Sequence, residues 1–216
     1  MLTRLPRLDA EPPPRSAHQP DNHDHPMRRV TEAVVAEPGS WTAERAVGVA
    51  GVFDDLAADW DARFGDGSHQ VPLIDALDRG EVTGGRALEV GSGTGLATEL
   101  LADRFGRVVA VDLSLEMLRR APVDVGCRVR ADGSRLPMVD GGADVVVLVN
   151  AFLFPDEVAR VLDPHGAVVW VNSVGDRTPI HLPAERVLEA LPGEWDAVAS
   201  AAGEGTWCVL RRTEPA

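Results

Sequence analysis

The sequence predicts an α/β fold in which a mostly parallel sheet carries helices on both faces. From residue 86 onward, short apolar runs alternate with segments of helical period. The runs are near-continuous in Val, Leu and Ala, which is typical of strands buried on both faces. The chain has 216 residues, of which 44% are hydrophobic, and this is enough for one such domain.

The predicted elements alternate regularly after residue 86. The strands are "RALEV", "RVVAVD", "CRVRAD", "DVVVLVN", "GAVVWVNS", "WDAVAS" and "TWCVLRR". The intervening helices are "LATELLADRF", "LEMLRRA", "PDEVARVL" and "PAERVLEAL". The last two strands flank the short loop "AAGEG", which predicts an antiparallel hairpin at the edge of the sheet.

The first 80 residues have two different characters. Residues 1–39 are rich in Pro, charge and His, and we expect a disordered or loosely attached tail. Its histidines, His18, His23 and His25, form no predicted metal site because no cysteine or fixed fold supports one. From residue 40 the apolar spacing is helical as far as "DARF", and after the break "GDGS" a short helix "VPLIDALDRG" ends at a glycine. Residues 40–216 are therefore the predicted domain.

Composition narrows the classes of partner. The formal net charge of −13 repels the phosphates of nucleic acids and anionic membrane surfaces. The sequence has no apolar run long enough to span a membrane and no secretory h-region. Cys127 and Cys208 give neither a disulfide framework nor a metal-binding pair. We expect a cytoplasmic protein that acts on a small molecule, without a nucleic-acid or membrane partner.

The stretch "ALEVGSGTGLA", residues 87–97, joins a strand to a helix through three glycines, a device that brings a ligand close to the backbone. The dinucleotide pattern GxGxxG fails in both registers, because its sixth position is Leu96 or Thr98. The P-loop pattern fails because no Lys-Ser or Lys-Thr follows. Glu89 would repel a pyrophosphate but attract a cation. S-adenosylmethionine (SAM) carries an ammonium, a sulfonium and an adenosine, and it has no phosphate.

"LEVGSGTG" resembles motif I of the class I SAM-dependent methyltransferases, E/D-x-G-x-G-x-G. The resemblance extends over roughly residues 50–174 and includes acids at the ends of the next two strands, Asp112 and Asp132. It implies a Rossmann-like sheet of seven strands, counted from "RALEV", in the order 3-2-1-4-5-7-6 with strand 7 antiparallel. It also implies that residues 40–80 form a helical lid, in which "LAADWD" resembles the family's A-x-x-Y-D with Trp60 in place of Tyr.

The resemblance implies a set of cofactor-binding residues. In the family, the acid at Asp112 binds the ribose hydroxyls and the acid at Asp132 reads the adenine amino group. Leu113 and Met117 would pack near the adenine, and the segment after the fourth strand would lie beside the methionine moiety. The implied set is Glu89, Gly91, Ser92, Gly93, Gly95, Asp112, Leu113, Met117, Asp132, Gly133, Asn150 and Ala151.

These expectations define a SAM-dependent methyltransferase with a small-molecule acceptor, while several points stay open. "NAFLF" stands where DNA amino-methyltransferases carry N/D-P-P-Y/F/W, which argues against a DNA base. His181 is a weak candidate for a general base, and no other catalytic residue is predicted. The methylated atom is open, as is a homodimer that completes the pocket. The alternatives are a non-catalytic SAM-binding or scaffold protein of the same fold and a nucleotide-dependent oxidoreductase.

Overall fold

The computed structural model describes residues 1–8, 22 and 24–213 and consists of one eight-stranded sheet with helices on both faces. The strands are β1 (Leu2–Arg4), β2 (Arg86–Val90), β3 (Arg107–Asp112), β4 (Cys127–Arg130), β5 (Ala143–Val149), β6 (Leu162–Asn172), β7 (Trp195–Ala202) and β8 (Gly205–Arg212). The helices are α1 (Pro26–Ala36), α2 (Ala43–Leu56), α3 (Trp60–Phe64), α4 (Val71–Arg79), α5 (Thr98–Arg104), α6 (Leu115–Arg120), α7 (Pro155–Val161) and α8 (Ala184–Ala190).

The strand order confirms the predicted topology. Across the sheet the order is β4-β3-β2-β5-β6-β8-β7-β1. Counted from β2, this is 3-2-1-4-5-7-6. β8 runs antiparallel to both β6 and β7, and all the other strand pairs are parallel. The eighth strand, β1, was not predicted, and it pairs with β7 in the register Leu2 to Ala197.

The central strands are buried on both faces, as their unbroken apolar runs indicate. In β5, Val145 and Val147 contribute to a core beneath α4 and α5, whereas Val146 and Leu148 contribute to the core on the opposite face with α7 and α8. All four side chains are fully buried. Covering both faces leaves the carboxyl ends of the strands as the place where polar side chains can gather.

The expectation of a disordered or loosely attached tail over residues 1–39 is wrong for much of the described part. β1 continues into backbone hydrogen bonds from Leu5 N to Ala199 O and from Leu8 N to Ala201 O, both 2.8 Å. The helix α1 buries Thr31 and Val34. Hydrogen bonding to β7 and burial under α1 attach these segments to the domain. His25 caps α1 by accepting a bond from Met27 N, whereas His18 and His23 lie outside the described residues.

The segment predicted as a lid divides into two parts. α4 packs against the sheet, with Leu73, Ala76 and Leu77 buried in its core, so the lid expectation for residues 40–80 is wrong for α4. The stretch before it, residues 41–70, supplies walls to a cavity at the carboxyl edge of the sheet. The long helix expected there is interrupted by a 3₁₀ turn at Ala57–Asp59, which separates α2 from α3.

Candidate functional site

A cavity opens at the carboxyl ends of β2, β3, β4 and β5, where the parallel register brings the ends of four strands together. It contains ten of the twelve residues that the resemblance implies. These are Glu89, Gly91, Ser92, Gly93, Asp112, Leu113, Met117, Gly133, Asn150 and Ala151. In an open α/β sheet, ligands bind outside the carboxyl ends of the strands, at the point where the strand order reverses, and here that point lies between β2 and β5.

The glycine turn after β2 is held against β3. Gly91 N and Ser92 N both donate to Val111 O, at 2.8 and 3.0 Å. Gly91 has φ +73°, and a Cβ there would stand 2.7 Å from the Ala151 Cβ. Gly93 has φ +57°, but the nearest atom to a Cβ there would be Trp60 Nε1, 4.0 Å away. Gly91 is therefore required by packing, whereas a Cβ at Gly93 would fit, with the Trp60 indole as its nearest neighbour.

Gly95, which the resemblance includes in the cofactor set, does not line the cavity. Its φ is +88°, and a Cβ there would lie 3.1 Å from Pro122 Cδ and 3.4 Å from the Ala121 Cβ. The turn therefore points this glycine toward the segment that follows α6. Its place in the motif is explained by close packing rather than by contact with a ligand.

Asp112, the last residue of β3, has both carboxylate oxygens oriented by backbone donors. Gly93 N donates to Oδ2 and Ser114 N donates to Oδ1, both at 2.7 Å. Burial raises the pKa of this carboxyl group, while these hydrogen bonds act in the opposite direction. Because an ionised carboxylate offers about four lone-pair sites, Asp112 retains capacity for ligand hydroxyls.

Glu89 is nearly fully buried, with 2% of its surface exposed. Its Oε2 accepts a bond from Thr98 Oγ1 at 2.5 Å. Burial raises the pKa of Glu89 to about 8, and the charge of Asp112 adds to the effect. At neutral pH the side chain therefore holds its proton, and a ligand cation nearby would favour its release.

Asp132 follows β4 but does not line the cavity. Instead, Trp41 Nε1 donates to both of its oxygens, at 3.0 Å to Oδ1 and 2.9 Å to Oδ2. Trp41 and the next residue, Gly133, line the cavity in its place. The structure thus brings Asp132 to the expected end of the site but puts an indole ring beside it.

Asn150 is fixed by a reciprocal pair of hydrogen bonds at the end of β5. Its Nδ2 donates to Ser173 Oγ at 2.7 Å, and its Oδ1 accepts from Ser173 N at 2.8 Å. Ser173 Oγ also lies 2.7 Å from His69 Nδ1. Asn150 has φ +52°, a strained conformation that these bonds help to hold. A polar chain thus runs from Asn150 through the buried Ser173 to His69, and its two end residues line the cavity.

Much of the cavity wall is aromatic, and Trp60 brings this wall next to the glycine turn at Gly93. Trp60 contacts Phe53 and Phe64 with ring centroids 5.9 and 4.6 Å apart, and Phe64 contacts His69 at 5.2 Å. Phe152 and Phe154, from the loop after β5, continue the wall toward Trp41. Flat, largely apolar groups fit such a surface better than extended or highly charged ones.

His181 lies away from this cavity. Its Nδ1 is 3.5 Å from Arg28 Nη1, and it lines a second cavity beside Arg4, Trp207 and Cys208. Only its neighbour Ile180 reaches the first cavity. Because His181 lines the other cavity, its weak candidacy as a general base has no geometric support. No local pattern in the sequence shows which side of this loop faces the site.

Sequence reasoning missed several side chains that line the cavity, among them Trp41, Phe64 and His69. Trp41 and Phe64 are aromatic residues near the ends of the predicted lid helices, and that position was a usable signal. His69 follows the glycine-rich break "GDGS" and sits in the short 3₁₀ turn Ser68–Gln70. No local pattern distinguishes it from a loop histidine.

The described residues contain neither a candidate metal-binding group nor a candidate membrane-spanning helix. Within residues 1–8, 22 and 24–213, no group of three or more His, Cys, Asp or Glu could hold a metal ion. In the same part of the chain, no helix is both long and apolar enough to cross a membrane.

The parallel sheet, the acid that ends β3 and the glycine turn are the arrangement implied by the resemblance to the class I SAM-dependent methyltransferases, a family whose cofactor is S-adenosyl-L-methionine. Comparisons support this class. Residues 88–170 match the methyltransferase domain family.

Relatives and solved structures agree with this placement. The chain is 37% identical over 95 residues to an uncharacterized methyltransferase of Mycobacterium tuberculosis, covering 39% of each chain. It is 37% identical over 130 residues to a demethylmenaquinone methyltransferase of Corynebacterium urealyticum, covering 54% of this chain and 55% of the relative. The chain therefore matches about half the length, or less, of these curated relatives. The DhpI–SAH complex superposes with a TM-score of 0.60 at 22% identity, covering 77% of this chain and 96% of that one, which shows the same fold.

Proposed function

We propose that the protein transfers a methyl group from SAM to a small, flat and largely apolar acceptor. The observation that carries the proposal is one cavity with two unlike sides. One side has the Gly93 backbone, where a Cβ would meet no atom closer than 4.0 Å, and the oriented carboxylate of Asp112. The other side has the contacting rings of Trp60 and Phe64, and the ring of Phe152 also lines the cavity.

The first side fits the cofactor in shape and in chemistry. The bare backbone at Gly93 permits close approach of a ligand. Asp112 can accept two hydroxyl donors, as a ribose diol requires. Glu89 is an acid that a bound cation would ionise, and SAM supplies an ammonium and a sulfonium. No phosphate-binding arrangement is required, in keeping with a cofactor that has none.

The chain's own residues have mainly a binding and orienting role in this proposal. SAM supplies the electrophilic methyl group when bound, so the protein needs no strong catalyst for the transfer itself. The aromatic wall would hold the acceptor and exclude water, and holding it in line with the methyl group supplies much of the rate enhancement. Whether an acceptor proton leaves to water or to a side chain depends on the acceptor.

The acceptor class is supported by the lining and by relatives. Several aromatic side chains line the cavity, and the matched proteins include demethylmenaquinone methyltransferases, whose name denotes a quinone substrate. We therefore propose an aromatic or quinone-like acceptor for this chain as well.

The test has two stages. Isothermal titration of the purified protein with SAM, S-adenosylhomocysteine (SAH) and NAD⁺ comes first, and we expect micromolar binding of the first two and none of the third. Binding of none of them would overturn the proposal. The second stage mixes protein, methyl-labelled SAM and reduced naphthoquinones lacking the ring methyl, with a polar amino acid as control. Labelled quinol would support the acceptor class, whereas cofactor binding without turnover on any acceptor would favour the scaffold alternative.

A further inference from the structure

The indole of Trp41 and the carboxylate of Asp132 form a contact that the motif does not predict. Trp41 Nε1 lies 3.0 and 2.9 Å from the two carboxylate oxygens, and Ser134 N donates to Oδ1 at 2.8 Å. Both oxygens therefore already accept hydrogen bonds from the protein. The two residues lie 91 positions apart in the chain, and the contact ties the segment before α2 to the end of β4.

Packing fixes the ring as well as its N–H group. Trp41 meets Phe154 edge-on, with centroids 5.2 Å apart at 70°, and it meets Phe152 at 5.4 Å. Gly133 completes the arrangement, because a Cβ there would lie 3.0 Å from the Phe154 ring. Trp41 is therefore held by two hydrogen bonds and two aromatic contacts before any ligand arrives.

The cavity surface shows which of the two groups a ligand can reach. Trp41 and Gly133 line the cavity together with Leu113 and Met117, and Asp132 does not. These four residues give the cavity apolar and aromatic surface, and the carboxylate that Trp41 contacts is not part of the lining. A purine ring stacks well on such a surface, since every base has a π-face.

We propose that Asp132 is a positioning residue for Trp41 and that the indole ring, rather than the Asp132 carboxylate, contacts the purine of the cofactor. The inference rests on the proposed function, because it assumes that SAM occupies this cavity. It departs from the role that the family resemblance gives to Asp132, and the departure comes from the contact with Trp41. The carboxylate acts through the ring that it orients.

A double-mutant cycle tests the coupling. Trp41→Phe keeps a ring but removes the N–H donor, and Asp132→Ala removes the acceptor. We expect each single variant to weaken SAH binding about tenfold by calorimetry, in line with the loss of a well-placed stacking contact. The double variant should bind no more than about twofold more weakly than either single variant. Additive losses would overturn the proposal, because an independent contact from Asp132 to the adenine would then be required.

A cofactor analogue supplies a second, independent readout. In S-inosylhomocysteine a carbonyl oxygen replaces the adenine amino group. A carboxylate that read the amino group would reject this analogue, and Asp132→Asn would relax the rejection because an amide can donate to the carbonyl. We expect the ratio of SAH to analogue affinity to be the same in wild type and in Asp132→Asn. A change of about tenfold in this ratio would overturn the proposal.

Controls separate this inference from the function on which it rests. Exposed Asp103→Ala should leave SAH affinity unchanged, and melting temperatures should show that every variant is folded. A wild-type protein that binds no SAH would overturn the proposed function. A wild-type protein that binds SAH but shows additive losses in the cycle would overturn only the role assigned to Trp41 and Asp132.

Discussion

The carboxylate of Asp54, in α2, accepts a hydrogen bond from the Ser114 hydroxyl at the start of α6, with an Oδ1–Oγ distance of 2.5 Å. Asp54 Oδ1 also accepts from Glu116 N at 3.1 Å, and the bond with Ser114 lowers the pKa of Asp54. The backbone N–H of Ser114 donates to Asp112. One serine thus joins the helix that covers the cavity to the acid at its base.

Loosening this connection should weaken retention of the cofactor. Asp54→Ala removes the acceptor for Ser114 and Glu116, so α2 loses its anchor beside Asp112. We expect SAH affinity to fall about three- to tenfold, mainly through faster dissociation, because the lost hydrogen bonds hold α2 over the cavity and do not contact the ligand. Stopped-flow displacement measures the rate. Asp55→Ala, at an exposed position on the same helix, is the matched control, and an equal effect in both variants would contradict the anchoring role.

The role of Asp112 in ribose binding predicts a larger effect. Asp112→Ala removes the acceptor for two cofactor hydroxyls, each worth about 1.5–3 kcal/mol when the acceptor is charged. It also removes the acceptor for Gly93 N and Ser114 N, which donate to this carboxylate in the wild-type protein. We expect no measurable SAM binding by titration calorimetry, with a folded protein by circular dichroism. Normal SAM affinity in this variant would exclude the proposed cofactor site.

Gly93 tests the shape of the site rather than its charge. A side chain at this position would point toward the space in front of Trp60, and φ +57° is unfavourable for a β-branched residue. Gly93→Val should therefore abolish SAM binding. Gly93→Ala should weaken it while keeping the turn. Equal affinities for wild type and the Val variant would show that the cofactor does not approach this backbone.

Glu89 predicts an unusual dependence of stability on pH. Burial raises its pKa from 4.5 to about 8, so between these values the folded protein binds more protons than the unfolded chain. The contribution to the free energy of unfolding is therefore full below about pH 4.5 and falls as pH rises to about 8, above which it is constant. Denaturant titrations across this range should show a downward trend that is reduced in Glu89→Gln. Identical trends in the two proteins would contradict the raised pKa.

The same group predicts that cofactor binding releases protons. If the SAM cations favour ionised Glu89, binding at pH 7 should release most of one proton, and binding at pH 9 should release almost none. Calorimetry in buffers of different ionisation enthalpy measures the release. The Glu89→Gln variant should release few protons when it binds the cofactor. A wild-type value near zero at pH 7 would mean that the cations bind elsewhere.

Local patterns were sufficient for most of the sheet and for the glycine turn. The central strands β2, β5 and β6 contain near-continuous apolar runs, and a run of this kind fixes both its own conformation and its burial on two faces. Glu89, Gly91 and Gly93 lie within five residues of each other, so their geometry is set by one turn. Gly95 belongs to the same motif but packs on Pro122, because sequence spacing does not show which way each glycine faces.

Contacts between distant parts of the chain were not predictable. β1 is only three residues long, too short for an alternating pattern, and its partner β7 lies about 195 residues away. The bond between Trp41 and Asp132 joins residues that no local rule connects. The suggestion that His181 lies at the site has no support for the same reason: the direction in which a loop residue points depends on what packs against the loop.

The insertion of β8 between β6 and β7 has a consequence for synthesis on the ribosome. β6 and β7 both emerge before Gly205–Arg212, so each has an open hydrogen-bonding edge until β8 arrives. β1 emerges first of all and must wait for β7 before it can pair. The half of the sheet from β4 to β5 can form while the chain is still growing, whereas the other half closes only after β8 has emerged. Nascent chains that stall before residue 205 would therefore expose two adjacent edges, and they are the species that chaperones would need to protect.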